Sequence, residues 1–192
     1  MRGLRKAAVL RSTVRPSNPE SSSCTSKKPP EPFPELPEIT LRPIGYVRNG
    51  VKEPRPEHWA DVVSRIIIRP ELEDALLGLE GWSHIVVVFW PHLIPPDVLG
   101  SKHRLHPRDD PENPLQGVLA TRSQIRFNPL LMTAVRLLSV KGNVLRVKGL
   151  DAIDGTPVLD VKPYMPKFDC LPEATMAEWV TRGQSESTDE HR

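Results

Sequence analysis

Two arginines and an amide lie close together in the stretch GVLATRSQIRFNPLLMTAVRLL, residues 117–138. Arg122, Arg126 and Asn128 occupy positions where a regular strand would carry apolar side chains. The planar guanidinium group donates paired hydrogen bonds to phosphate or carboxylate groups, so this stretch is predicted to bind an anionic ligand. Ion pairs with surface carboxylates are the alternative for the arginines, and a simple turn before Pro129 is the alternative for Asn128.

A histidine follows one of the longest apolar runs of the chain. His92 comes directly after HIVVVFWP, and a residue at the end of a buried strand often lines a ligand site; an ordinary capping histidine is the alternative. His103 and His106 occur in the proline-rich segment 91–116, where solvated histidines are commoner than metal ligands. We therefore expect a long functional or mobile loop in this segment and no metal site.

The motifs of common nucleotide-binding and hydrolytic enzymes are absent from the sequence. It contains no G-x-G-x-x-G, no G-x-x-x-x-G-K-[ST] and no G-x-S-x-G. A Rossmann dinucleotide site, a phosphate loop and a nucleophile elbow are therefore not supported. The two cysteines, Cys24 and Cys170, support neither a disulfide framework nor a cysteine-based zinc site.

The elements that must position these residues are short and strand-like. Residues of alternating character, or apolar throughout, predict strands within 39–48, 62–70, 83–90, 117–125, 133–142, 143–153 and 156–164. The run SHIVVVFW is apolar on both faces, so it predicts a central, buried strand. Strands at this spacing predict a mainly β domain, an antiparallel barrel or sandwich with one or two short helices.

Glycines and turn residues separate these elements. ELEDALLGLEG, residues 71–81, predicts a short helix that Gly81 ends. Gly45 interrupts the first strand and predicts a bulge or a close backbone contact. Turns are predicted at Asn49-Gly50, Gly142-Asn143 and Asp154-Gly155.

Composition divides the chain into three parts. Residues 1–38 form a basic Pro/Ser-rich extension that is predicted to be disordered, since seven Lys/Arg face one acid within residues 1–30. A nearly neutral domain is expected over 39–170, and 171–192 form a polar, acidic tail with a short helix. No apolar run approaches the ~20 residues of a membrane span. We expect a soluble cytoplasmic protein that contacts no membrane; organelle import through the arginine-bearing N-terminus is the less favoured alternative.

Three stretches resemble a known family: GVLATRSQIRFNPL, GNVLRVKGLDAIDGTPVLDVKPY and LEGWSHIVVVFWPHL. The resemblance covers residues 39–169 and is to the TsaA-like family, also called TrmO or YaeB. It implies a small antiparallel β-barrel without a Rossmann fold, which binds S-adenosylmethionine, acts as a homodimer and methylates N6 of threonylcarbamoyladenosine next to the tRNA anticodon. The family's usual A-T-R-S-P-x-R-P-N-P-I-G-L-S differs here at Gln124, Phe127 and 130–133.

The resemblance also implies roles for individual residues. The cofactor-binding candidates are His92, Leu93, Arg122, Met132, Gly149, Leu150 and Asp151, with His58 and Trp59 as weaker candidates. Backbone groups near Gly149 would read the adenine edge, and Asp151 would bind the ribose hydroxyls. The candidate proton acceptors are Asp154, Asp160 and His92, among which the sequence does not choose. The candidate tRNA contacts are Arg126, Asn128, Arg104, Arg108 and Lys102, with Trp90 or Phe127 stacking on an unstacked base.

Two other functions remain open at this point. Because residues 124–133 depart from the family's wording, the chain could be a cofactor-binding barrel that acts as a sensor or scaffold without turnover. It could also methylate a small-molecule acceptor.

Overall fold

Six antiparallel strands close into a barrel. The computed structural model describes residues 32–54 and 58–181. Within these ranges its strands are β1 (Gly45–Arg48), β2 (Val63–Ile68), β3 (His84–Phe89), β4 (Arg104–Leu105), β5 (Gln116–Gly117), β6 (Leu131–Lys141), β7 (Val144–Lys148) and β8 (Pro157–Pro163). The barrel order is β1-β2-β7-β6-β3-β8, and β4 pairs with β5 in a separate sheet. The predicted mainly β fold with a small antiparallel barrel is confirmed.

Side-chain alternation fills the barrel with aliphatic residues. In β2, Ser64, Ile66 and Ile68 are buried whereas Arg65 is exposed, because successive side chains of a strand point to opposite faces. Burying a Val, Leu or Ile side chain is worth roughly 1.5–3 kcal/mol. The core consists of Val47, Ile66, Ile68, Ile85, Val87, Phe89, Val135, Leu137, Leu145, Val147, Leu150, Ala152 and Val158.

Strand β3 is central, as predicted. It pairs with β6 on one side and with β8 on the other, and Ile85, Val86, Val87 and Phe89 are buried. β6 is the longest strand: its first half pairs with β3 and its second half with β7, with a register shift between Leu137 and Ser139. Such bulges bend a strand and increase its twist, so they help the sheet to close.

The predicted helix after β2 consists of two 3₁₀ segments. They span Pro70–Leu76 and Leu79–Gly81. Gly78 separates them with a left-handed backbone, at φ 82°, and the second segment ends at Gly81, as predicted. The segment still buries its apolar face, since Leu72, Leu76 and Leu79 pack against the core.

The strand predicted over residues 117–125 is wrong. Only Gln116–Gly117 pair with a neighbouring strand, and a 3₁₀ turn follows at Val118–Ala120. After it, Ser123 N–H donates to Thr121 Oγ1 at 3.3 Å and Ile125 N–H donates to Ser123 Oγ at 3.2 Å. These side-chain hydrogen bonds compete with strand pairing, which is why the alternating pattern misleads.

The first predicted strand, 39–48, is shorter than expected. It begins only at Gly45 because Pro43, without an N–H group, restricts the preceding backbone. The turns predicted at Asn49-Gly50, Gly142-Asn143 and Asp154-Gly155 are correct, since all three glycines have positive φ. Gly142 lies in the β6–β7 hairpin, and Gly155 lies two residues before β8.

The chain divides into two units, residues 1–38 and 39–192. Of the first unit only 32–38 are described, and they form no helix or strand; the predicted disorder of 1–31 lies outside the described residues. In the second unit, the short helices α1 (Pro166–Asp169) and α2 (Glu178–Thr181) follow the barrel. No helix within the described ranges is long and apolar enough to cross a membrane.

Gly45 makes the close backbone contact that its position in the sequence predicts. A Cβ atom at this residue would lie 2.4 Å from the Ile67 carbonyl oxygen. We predict that Gly45→Ala destabilises the domain by roughly 1–3 kcal/mol, the usual cost of overpacking. Gly81→Ala is the matched control, since its Cβ would meet nothing within 4 Å. Urea unfolding measures both, and equal midpoints for the two variants would contradict the prediction.

Candidate functional site

The barrel gathers most candidate residues at one end. β1, β3 and β7 end there, and β2, β6 and β8 begin there, because every neighbouring pair is antiparallel. We call this the loop end and define it by the segments 49–54, 58–62, 90–93, 130–133 and 149–156. Loops on a rigid barrel commonly carry the functional residues.

A chain of hydrogen bonds joins Arg122 to Asp151. Arg122 Nη2 donates to the Met132 carbonyl at 2.9 Å. The next residue, Thr133, donates its hydroxyl to Asp151 Oδ1 at 2.5 Å. Arg122, Met132 and Asp151 are therefore brought together at the start of β6, and all three are exposed. We call Arg122, Met132, Thr133 and Asp151 the strip. The guanidinium group of Arg122 and the carboxylate of Asp151 suit a ligand that carries both a carboxylate and hydroxyl groups.

Asp154 caps the turn that follows β1. Its Oδ1 accepts the Asn49 and Gly50 N–H groups at 2.9 and 3.4 Å, and its Oδ2 lies 2.9 Å from Arg48 Nη1. The hydrogen bond from the Asn49 backbone, with that from Arg48, holds the pKa of Asp154 below its ordinary value of 3.8. A carboxylate so stabilised in its ionised form is a weak proton acceptor, so the geometry gives Asp154 a structural role.

His92 lies at the loop end with an exposed imidazole. Its Nε2 is 3.7 Å from the position a Cβ would take on Gly155, so the turn before β8 runs beside the ring. Leu93, the next residue, is also exposed. Among the three candidate proton acceptors, His92 combines this location with an exposed ring.

Gly149 and Leu150 present backbone rather than side chains. Gly149 has a φ of 93°, which favours glycine, and its N–H donates to the Val62 carbonyl at 3.0 Å. The Leu150 side chain is fully buried in the core, so only its backbone can meet a ligand. The segment with His58 and Trp59 lies alongside, since the Ala60 carbonyl is 3.9 Å from a Cβ built on Gly149.

Arg126 braces its own loop. Its Nη1 donates to the carbonyls of Thr121 at 2.5 Å and Val118 at 3.3 Å. The side chain is half-buried, so part of its donor set serves the fold. Asn128 is exposed, and its carbonyl accepts the Leu130 N–H at 2.8 Å. This is the turn that the sequence offered as the alternative to ligand binding by Asn128.

Arg104 lines a separate groove at the β4–β5 hairpin, and Arg108 belongs to the 3₁₀ turn Pro107–Asp109 between these two strands. The groove has a volume of about 420 Å³. His106 Nδ1 lies 2.7 Å from the Asn113 carbonyl, which makes Nδ1 the protonated nitrogen of the neutral ring. Arg108 has a left-handed backbone at φ 62°. The groove is lined by Lys102, Arg104, Leu105, His106, Asp109, Pro111 and Leu115. Beside it, Phe127 packs edge-on against His103 at 5.3 Å between ring centroids.

Asp160 lies in the middle of β8, opposite Val88 of β3. Its Oδ2 is 2.6 Å from Lys162 Nζ. It lines an apolar cleft of about 490 Å³ against the 3₁₀ segments at the opposite end of the barrel. The structure therefore does not bring Asp160 together with His92 and Asp151.

Two further residues position this site and escape sequence reasoning. Thr133 holds Asp151, and Asn49 Nδ2 donates to Ser64 Oγ at 3.0 Å and to the Ala152 carbonyl at 2.8 Å. Asn49 was predictable only as a turn residue, because its partners are distant in sequence. In the described part of the chain, no group of three or more His, Cys, Asp or Glu side chains is arranged to hold a metal ion.

The fold is a small closed antiparallel barrel that carries most of the candidate ligand-binding residues at its loop end. The chain matches the model of the tRNA-methyltransferase O N-terminal domain over residues 48–170. The chain therefore belongs to the tRNA-methyltransferase O family, which confirms the resemblance drawn from the sequence.

Individual relatives agree with this assignment. A probable S-adenosyl-L-methionine-binding protein of Methanothermobacter thermautotrophicus is 43% identical over 138 residues, which cover 70% of this chain and 96% of that protein. An S-adenosyl-L-methionine-binding protein of Archaeoglobus fulgidus is 39% identical over 137 residues, 69% of this chain and 94% of that one. The crystal structure of TrmO from Pseudomonas aeruginosa superposes with a TM-score of 0.59 at 33% identity, covering 73% of this chain and 62% of that chain. The chain thus spans less than two thirds of the solved TrmO protein.

The Asp154 cap makes stability depend on pH. Because the folded-state pKa of Asp154 is depressed, its contribution is present above the ordinary pKa and is lost as pH falls through the folded pKa. We predict that Asp154→Asn lowers the free energy of unfolding at pH 7 by roughly 1.5–3 kcal/mol. The difference from the wild type should shrink as the pH falls below 3.8 and through the depressed folded-state pKa, which urea unfolding over a series of acidic pH values measures.

Asp97→Asn is the control for this substitution, since Asp97 is an exposed carboxylate. A difference between Asp154→Asn and the wild type that stayed constant down to the acid limit would contradict the cap.

Proposed function

We propose that this protein binds S-adenosylmethionine at its loop end and transfers the methyl group to N6 of threonylcarbamoyladenosine next to the tRNA anticodon. The observation that carries the proposal is the Arg122–Met132–Thr133–Asp151 strip in a chain that belongs to the tRNA-methyltransferase O family. The names of the two archaeal relatives support the cofactor.

The strip offers complementary groups to the two ends of the cofactor. Arg122 is exposed and has its fork directed to the start of β6, where it can bind the cofactor's carboxylate or ribose. Asp151 keeps Oδ2 available while Thr133 occupies Oδ1, so a ribose hydroxyl can donate to it. Gly149 and Leu150 would meet the adenine edge through backbone groups that are not already hydrogen-bonded, since Gly149 has no side chain and the Leu150 side chain is buried.

In the proposed reaction the protein mainly has to orient the reactants and accept one proton. The nitrogen lone pair forms a bond to the methyl carbon while the carbon–sulfur bond breaks, and S-adenosylhomocysteine leaves with the electron pair. The protein must align nitrogen, carbon and sulfur, and one proton must leave the urea-type nitrogen. We favour His92 as the acceptor, since Asp154 is engaged by two N–H groups and an arginine, and Asp160 pairs with Lys162 and lines the separate apolar cleft.

The tRNA would approach the loop end from the β4–β5 hairpin. Lys102 and Arg104 line the groove there, and neither has a carboxylate within 4.0 Å among the described residues. Phe127 is half-exposed beside the groove and offers a face on which a loop base can stack.

Mass analysis of tRNA nucleosides tests the proposed reaction. The purified protein is incubated with S-adenosylmethionine and tRNA that carries threonylcarbamoyladenosine, and we predict a gain of one methyl group on that nucleoside. Arg122→Ala should weaken cofactor binding about ten- to a hundredfold, since a charge-assisted hydrogen bond is worth roughly 1.5–3 kcal/mol. Calorimetry measures that affinity.

Arg69→Ala is the matched control, because Arg69 donates to the Pro43 carbonyl at the far end of the barrel. Cofactor binding without methyl transfer would favour the sensor function, and methyl transfer only to a small molecule would favour the other alternative. Equal cofactor affinity in Arg122→Ala and in the control would contradict the assignment of the strip.

A homodimer is the second part of the proposal. The outer side of β6 carries apolar residues that a monomer leaves in water: Met132 is 53% exposed and Leu138 is 39% exposed. Exposed apolar residues along one strand support a protein–protein contact. We predict that Leu138→Glu shifts the protein towards a monomer in analytical ultracentrifugation, with Leu77→Glu as the control at a 91% exposed residue outside β6. A monomeric wild type would contradict this part.

A further inference from the structure

Three arginines form one row across the outer face of the barrel. The strand register places Arg48 of β1 opposite Arg65 of β2, and Arg65 opposite Arg146 of β7. In the next row Lys148 of β7 lies opposite Arg136 of β6. Directly opposed residues of antiparallel strands have Cβ atoms about 4.5–5.5 Å apart. We call Arg48, Arg65, Arg146 and Lys148 the basic wall.

Only part of this charge is neutralised within the protein. Arg48 pairs with Asp154 at 2.9 Å, and Lys148 pairs with Asp61 at 2.8 Å. Arg65 and Arg146, at the centre of the wall, are exposed and have no carboxylate within 4.0 Å among residues 32–54 and 58–181. Glu73 lies against Gly142 at the hairpin tip, beyond the row.

An opposed pair of like charges carries an energetic penalty. Like charges directly across an antiparallel pair are destabilising, and Arg65 has such a neighbour on both sides. The fold does not require guanidinium groups there, because both side chains point outwards and contribute nothing to the core. The arrangement therefore indicates an anionic ligand that spans neighbouring strands.

We propose that the basic wall binds the phosphate backbone of RNA. A row of guanidinium groups on a twisted sheet matches a linear array of phosphates, since arginine recognises phosphate through its planar fork. Arg48 continues the row to the Asp154 cap at the loop end, so RNA on the wall is directed towards the cofactor site. An anionic membrane is the less suitable partner, because membrane-surface segments also insert Trp, Phe or Leu side chains, whereas the half-exposed apolar neighbours of the wall are Tyr46, which packs under Arg48, and Val63.

The identity of this RNA as tRNA rests on the proposed function, whereas the affinity for a phosphate backbone rests on the arginines alone. The wall would hold a part of the tRNA distinct from the target nucleoside. Its contacts are with phosphates, so they add affinity without reading sequence.

The test is a double variant, Arg65→Gln with Arg146→Gln. The full chain is titrated with a tRNA transcript and with a short RNA duplex by fluorescence anisotropy over a range of salt concentrations. We expect tRNA binding to weaken about tenfold near 0.1 M salt, and the slope of log affinity against log salt to become shallower by about 1.4–1.8 for two lost phosphate contacts. Cofactor affinity should not change, and the melting temperature should stay equal or rise because repulsion is relieved.

The control variant is Arg42→Gln with Lys167→Gln, which removes the same net charge from two other exposed positions. If the wall variant and the control bind RNA with the same affinity and the same salt slope, the inference is wrong. It is also wrong if the wild type binds no RNA, or if the wall variant loses binding to phosphatidylserine vesicles but not to RNA.

The assay separates this inference from the proposed function. A wild type that binds RNA through the wall but methylates no tRNA nucleoside leaves the inference standing and overturns the function. If the wild type methylates tRNA but the wall variant binds RNA as the control variant does, the proposed function stands and the inference about the wall is overturned.

Discussion

Closure of the barrel through β8 is the constraint on which the rest of the structure depends. β8 pairs with β3 along most of its length, but its ladder with β1 comprises only Gly45 opposite Val158 and Tyr46 opposite Pro157. Hydrogen bonds from Ile44 N–H to the Val158 carbonyl and from Val47 N–H to the Thr156 carbonyl extend this short seam at both ends. Without it β1 and β8 would be free edges, and the turn that holds Asp154 against Asn49 would lose its support.

Closure of the barrel also places the apolar packing segments and the candidate functional residues at opposite ends. The short β6–β7 hairpin and the 3₁₀ segments lie at one end, where Leu72, Leu76 and Leu79 cover the core. The long connections after β1 and β3 emerge at the other end, where the turn 149–156 adds Leu150 and Ala152 to the core and leaves Asp151 exposed. Backbone groups and polar side chains can therefore be held by a rigid sheet and still face a ligand, which is the arrangement that a positioning enzyme needs.

Much of this was predictable from the sequence, because local patterns carry it. The buried strand β3, the glycine contact at Gly45 and the hairpin at Gly142 follow from alternation and turn chemistry. What could not be predicted depends on partners distant in the chain. Arg126 turns inwards to the carbonyls of Val118 and Thr121, so the stretch that alternates like a strand becomes a braced loop. Asp154 could equally have been a base or a cap until Asn49 and Arg48 were seen beside it. Likewise Arg65 and Arg146 are separated by 81 positions in the sequence, and only the strand register shows that they are neighbours.

The central claim is that the loop end, and not the opposite end, takes the cofactor. An amide chemical-shift titration of the labelled protein with S-adenosylmethionine tests it most directly. The account predicts that saturating shifts cluster at His92, Met132, Gly149 and Asp151, with the resonances of Leu72, Leu76 and Trp82 unmoved. Shifts confined to the apolar cleft around those three residues, or no shifts at millimolar cofactor, would contradict it.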